Sequence, residues 1–189
     1  MVPDAKRRAL AQYCGLGLIA LAVIAASVLA APGLPGLLGA GLGVLMMAIA
    51  VVDARHFIIP NALTLAAFGL AVANAGTQQQ WEGVLMALLR SAVVALGFLI
   101  VRAGYQWLRG RQGIGLGDVK LAGVAGAWLT WTVLPLAIDI AALAALAVYA
   151  LRRLVGNRPV QRFTRVPFGL FFAPAIWLCW LLQTAFALM

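Results

Sequence analysis

The sequence predicts an all-α polytopic membrane protein, a bundle of about seven transmembrane helices with a cytoplasmic N-terminus and a periplasmic C-terminus. Three observations lead there. Hydrophobic residues fill 65% of the 189 positions and charged residues 10%, too little charge to wet the surface of a soluble domain of this size. Apolar stretches long enough to cross a hydrocarbon core of roughly 30 Å recur along the chain, and helices must do the crossing because each satisfies its own backbone. The basic residues fall in the short intervals between those stretches.

The expected spans are 10–31, 36–54, 61–76, 84–106, 118–132, 133–151 and 167–188, with no soluble-sized insert, so residues 1–189 read as a single membrane domain without internal repeats. The first follows Lys6, Arg7 and Arg8 as a signal peptide would. It is long, though, and ends in AAPGLPG with no convincing cleavage site, so it reads as a helix that stays. Pro32, Gly33, Pro35 and Gly36 make the first turn. Pro60 and Asn61 restart a helix, Gln78–Gln80 form a polar outer loop, Gly113, Gly115 and Gly117 precede the fifth span, and Pro135 and Pro167 mark two further starts.

With the N-terminus inside, the cytoplasmic segments hold Lys6, Arg7, Arg8, Arg55, Arg102, Arg109, Arg111, Lys120, Arg152, Arg153, Arg158, Arg162 and Arg165. Only Arg90 is left for the other side. This bias sets the orientation. It also reassigns the net charge of +9 to topology and anionic lipid, rather than to nucleic acid. The stretch from Arg152 to Arg165 is the most basic loop. Cys14 and Cys179 lie in apolar runs without CxxC spacing and read as small packing residues. His56 is the only histidine, and with no second His or Cys beside it a metal site has no support.

The acids are Asp4, Asp53, Glu82, Asp118 and Asp139, and an ionisable group at membrane depth is costly enough to demand a role. Asp53 closes the second span and Asp118 opens the fifth, which puts both at the cytoplasmic face. Each has a bland reading: Asp53 as a counterion for Arg55, Asp118 as a helix N-cap. Asp139 is expected about 18 Å from that face at 1.5 Å per residue, too remote to join them and paired inside the bundle.

The local sequences carry more. Asp53-Ala-Arg-His-Phe-Ile-Ile-Pro60-Asn61 resembles the first aspartate motif of the type IV prepilin peptidases, peptidase family A24. Gly115-Leu-Gly117-Asp118-Val-Lys120-Leu resembles their second, followed by a similar Gly-Ala-Trp-Leu-Thr-Trp run, and Pro167-Phe168-Gly169 resembles a late element. The resemblance covers roughly 15–188. It implies an intramembrane aspartyl endopeptidase of the bacterial inner membrane that cuts prepilin or type II secretion pseudopilin leaders after a glycine. Asp53 and Asp118 are then the catalytic pair, with Pro60, Asn61, Gly115, Gly117, Lys120, Pro167, Phe168 and Gly169 as substrate-binding or supporting residues. Longer members carry a cysteine-containing cytoplasmic insert after their first helix and also N-methylate the product. Here only Ala31–Leu37 separate the first two spans, so the chain resembles a short form and methylation is an alternative reading.

Physical chemistry agrees with that pair. Without a metal, cofactor or covalent nucleophile, peptide hydrolysis needs one carboxylate to take a proton from water and one carboxylic acid to polarise the carbonyl. Asp53 sits at a helix C-terminus and Asp118 at an N-terminus, so the dipoles favour a protonated Asp53 and an ionised Asp118. Close approach would make the proton a property of the pair. The three glycines lack a preceding strand or a following GK[ST], which argues against a phosphate loop. Lys120 either balances Asp118 or meets lipid phosphate. A small proton- or cation-coupled transporter would also use buried acids, but the absence of repeats counts against it.

Overall fold

The computed structural model describes residues 4–111, 113–155 and 167–187, and these form α1 (Asp4–Ala30), α2 (Leu34–His56), α3 (Asn61–Arg109), α4 (Leu116–Trp128), α5 (Leu134–Val155) and α6 (Gly169–Ala187). The basic loop from Arg152 to Arg165 falls largely outside the described residues. Among the described residues four segments are long and apolar enough to cross a membrane: Leu34–His56, Gln80–Arg109, Leu134–Leu151 and Gly169–Phe186.

α3 is two limbs. Gln80 has φ 52, which a right-handed helix does not accommodate. A Cβ built on Gly76 would lie 3.7 Å from the side chain of Val84, whereas eight residues of straight helix rise about 12 Å. The chain therefore doubles back at Gln80 with helix on both sides. The expected spans 61–76 and 84–106 are its two limbs, and the expected polar loop at Gln78–Gln80 is a helical hinge.

α4 lies against both limbs. Its start meets the first limb through Lys120, whose Nζ donates to Asn61 Oδ1 at 2.6 Å, and its end does so through Trp128, whose Nε1 donates to the Ala67 carbonyl at 2.9 Å. The second limb runs antiparallel to α4: a Cβ on Gly123 would meet Ser91, and one on Gly126 would lie 2.7 Å from the Arg90 carbonyl. The expected span 118–132 is corrected here. α4 has 13 residues, about 20 Å, and ends at Trp128 before a turn leads into α5. A helix end inside an apolar bundle leaves carbonyls that lipid cannot satisfy. Arg90 Nε donates to the Gly126 carbonyl at 3.2 Å, and Gln183 Nε2 to the Trp128 carbonyl at 3.1 Å.

α2 and α6 pack antiparallel through glycine. A Cβ on Gly39 would fall 1.8 Å from the Trp180 ring, and one on Gly43 would lie 2.8 Å from Trp177. Such close backbone approach is what small residues give helices in lipid, where no hydrophobic force drives them together. It sets the register that brings the far end of α2 to the first turn of α6. Leu42, Met46, Ile49, Phe172, Ile176 and Trp180 are fully or almost fully buried along this seam.

Two readings of single residues change. Cys179 is a buried packing residue as expected, but Cys14 is exposed. Asp139 is exposed on the outside of α5 rather than paired within the bundle.

Candidate active site

The site begins where α2 must stop. Pro60 disfavours helical backbone at Ile59, and Phe57 ends α2 in the left-handed region at φ 54, its N–H donating to the Asp53 carbonyl at 2.9 Å. Ile58 and Ile59 then run extended to Pro60, with φ −66 and ψ 133, before α3 begins at Asn61. Phe57 and Ile58 face outward, while Ile59 turns in and is buried.

Asp53 is 5% exposed. It does not serve Arg55, which is exposed. Its Oδ2 accepts the Leu170 N–H at 3.0 Å, and the Gly169 N–H also lies toward the carboxyl, which caps the open N-terminus of α6. A Cβ on Gly169 would lie 2.9 Å from that same oxygen and 2.9 Å from Ile59 Cδ1. Phe168 anchors this turn: its carbonyl accepts the N–H groups of Phe171 and Phe172, and its ring lies 5.3 Å from that of Phe172. Pro167 stands half-buried just before it.

Asp118 is the third residue of α4, and Gly115 is the N-cap. Its Oδ2 accepts the Gly115 N–H at 3.2 Å, so the capping role expected of it exists, displaced by one turn. The loop before α4 is held by Arg102, which donates to the Ile114 carbonyl, and by Tyr105, against which Gly113 packs. A Cβ on Gly117 would lie 3.0 Å from Ile59. Ile59 thus fills the space between Gly117 and Gly169, one beside each acid.

The two acids flank Ile59, whose side chain lies against Gly169 on the Asp53 side and against Gly117 on the Asp118 side. The dipole asymmetry expected from the sequence disappears, because the structure sets Asp53 at the N-terminus of α6 just as Asp118 sits at that of α4. Lys120 bonds Asn61, tying the second motif to the first instead of reaching Asp118. Beside this link a cavity of about 400 Å³ opens between α4 and the two limbs of α3, lined by Asn61, Thr64, Phe68, Ser91, Lys120 and Gly123.

Asp53, Asn61, Gly117, Asp118, Lys120 and Gly169 therefore meet at one end of the bundle, and Asp139 does not join them. Two participants escaped sequence reasoning. Ile59 is one apolar residue among many, and the Leu170 contribution is a backbone N–H that no side-chain pattern encodes. Among the described residues no three His, Cys, Asp or Glu side chains gather as metal ligands would.

Comparison with known proteins places this arrangement. The model of the Type IV leader peptidase family matches residues 40–151, which hold both acids but not Gly169. The chain is 36% identical over 165 residues to a prepilin leader peptidase/N-methyltransferase of Burkholderia pseudomallei (strain 1026b), covering 82% of this chain and 50% of that one. It is 30% identical over 134 residues to the leader peptidase HopD of Escherichia coli, covering 65% of this chain and 78% of the relative. A prepilin leader peptidase/N-methyltransferase of Pseudomonas aeruginosa is 31% identical over 141 residues, 70% of this chain and 45% of its own. The chain spans about half the length of the relatives named for both activities. No solved structure matches. With its apolar helices and these relatives it is a multi-pass inner-membrane protein, and the chain belongs to the type IV leader peptidase family.

Proposed function

We propose that the chain is an aspartic endopeptidase that removes the leader of prepilins or type II secretion pseudopilins at the cytoplasmic face of the inner membrane. The observation that carries the reading is the placement of Asp53 and Asp118, from separate helices and separate motifs, on either side of Ile59 at one end of the bundle. One carboxylate takes a proton from water as the water attacks the scissile carbonyl. The other, protonated, donates to the carbonyl oxygen and is left ionised. Collapse of the tetrahedral intermediate gives the leaving amine the proton taken from water, while the hydroxyl formed on the carbonyl oxygen returns its proton to the second carboxylate, so the pair ends with the one proton it began with. Two carboxyls this close cannot both ionise cheaply, which favours the singly protonated pair that the cycle needs.

The Leu170 amide holds Oδ2 of Asp53 and so fixes the carboxyl for its work on water. Glycines at 115, 117 and 169 keep backbone low around the acids, which suits an extended substrate. Pro60, Pro167 and Phe168 shape the turns that hold the acids, and the Lys120–Asn61 link braces the two motifs. The cytoplasmic placement rests on the basic residues, which cluster on the segments at this end. A substrate with a basic leader and an apolar helix would lie in the same bilayer, with its junction at this depth. Anionic lipid near the basic loop is part of the same reading. HopD, covered over 78% of its length, is named for proteolysis alone, which favours peptidase activity over methyl transfer for these helices.

The test is to incubate the purified protein in detergent with a prepilin carrying its leader and to look for one discrete cut by mass spectrometry. Cleavage lost in Asp53→Asn and in Asp118→Asn supports the reading. No cleavage by the wild type, with proton flux in liposomes, would replace it with transport.

A further inference from the structure

The end of the bundle remote from the acids has chemistry that proteolysis does not use. Ten residues along α4 from Asp118, about 15 Å, the helix stops at Trp128. Arg90 meets this end with Nε alone. A guanidinium has five N–H donors, and the other four have no protein acceptor among the described residues. None of these nitrogens is sealed off as a buried unsatisfied atom, so they open onto the space beside them.

That space is a cavity of about 670 Å³. Asn74, Gln78, Thr130 and Thr132 line it with Arg90, a concentration of polar groups unusual in a chain that is 65% hydrophobic. Among the described residues Arg90 carries the only charge on the wall, and no carboxylate lines it. Leu136 and Phe186 make an apolar flank. Capping α4 requires one donor, which explains Nε and leaves the charge and the fork unexplained. A half-buried cation with no counterion among the described residues is costly in this setting, and a planar guanidinium fits the oxygens of a phosphate two at a time.

We propose that this cavity binds the phosphate of an anionic phospholipid, with Arg90 as counterion, the Thr132 hydroxyl as a further donor and the apolar flank against the first methylenes of the lipid. A free phosphate would satisfy the same donors but would leave the flank without a partner. The site does not depend on the peptidase reading, and its occupancy is measurable without any cleavage assay.

The experiment uses the full chain in maltoside detergent with a phosphatidylglycerol carrying a photoreactive diazirine on its headgroup. Labelled peptides are mapped by mass spectrometry, which separates this cavity from the basic loops. Labelling is expected in peptides holding Thr130–Leu136 or Leu182–Phe186, weakened about ten- to hundredfold in Arg90→Gln. Because Arg90→Gln also removes a cap from α4, Gln78→Glu is the second variant. It keeps the shape of an exposed lining residue and puts a carboxylate on the same cavity wall as Arg90, where it repels a phosphate, and it is expected to weaken the same labels while the thermal midpoint holds. Equal labelling by the phosphatidylcholine analogue, or labelling undiminished in Gln78→Glu, overturns the anion site. Displacement by excess inorganic phosphate overturns the lipid as its ligand.

Discussion

The backbone N–H of Leu170 donates to Oδ2 of Asp53 at 3.0 Å, across 117 residues of chain. This bond joins the end of α2 to the start of α6, and it gives the late Pro167-Phe168-Gly169 element a physical purpose. The turn there must present two N–H groups to a carboxylate at close range, and only glycine leaves room.

Asp53→Asn and Asp118→Asn are each expected to reduce cleavage by about 10²- to 10⁴-fold, since Asn keeps the size and the accepting oxygen but passes no proton. The two losses should not add in the double variant, because either one stops the same cycle. Thermal unfolding in detergent should change little. An active Asn variant at either position would falsify the paired-acid mechanism.

Gly169→Ala is expected to lower kcat strongly with the chain still inserted, because the new methyl meets Asp53 Oδ2 and Ile59 Cδ1 at 2.9 Å. The control is Gly97→Ala, a helical site with nothing within 4 Å. Alanine there should be neutral, or stabilising by up to about 1 kcal/mol. Kinetics and thermal midpoints for both variants check this, and wild-type turnover in Gly169→Ala would mean that the α6 turn does not position the acid.

Asp139→Asn is expected to leave cleavage untouched and to move stability by no more than about 0.5 kcal/mol, since the side chain is exposed on α5. A large loss of stability would mean that another chain covers this face.

Chelation should leave cleavage intact, because among the described residues no third His, Cys, Asp or Glu joins the two acids the mechanism needs for protons. Loss in EDTA, with recovery on adding one divalent ion, would turn Asp53 and Asp118 into ligands of a catalytic metal.

Reporter fusions after Arg111 should read as cytoplasmic, and a fusion at the C-terminus as periplasmic. A cytoplasmic C-terminus would invert the placement of the acids relative to the substrate's leader.

The sequence by itself determined the class and most helix limits, and it singled out the two acids that the structure brings to one end of the bundle. Hydropathy is a property of contiguous residues, and lipid forces each span to satisfy its own backbone, so α1, α2, α5 and α6 are close to the expected spans. Asp53 and Asp118 stood out because so few charges occur in so apolar a chain. The tertiary structure alone decided the rest. That α4 could stop at Trp128 depended on Arg90 and Gln183 arriving from other helices to satisfy its carbonyls. The fold-back of α3 at Gln80 depended on both limbs packing against α4. The setting of Asp53 reversed because the N-terminus of α6 came to meet it, and such a meeting is fixed by the Gly39 and Gly43 contacts with Trp180 and Trp177, well over a hundred residues apart in the chain. A local dipole argument sees only the helix a residue belongs to, whereas a carboxyl responds to every helix end that reaches it.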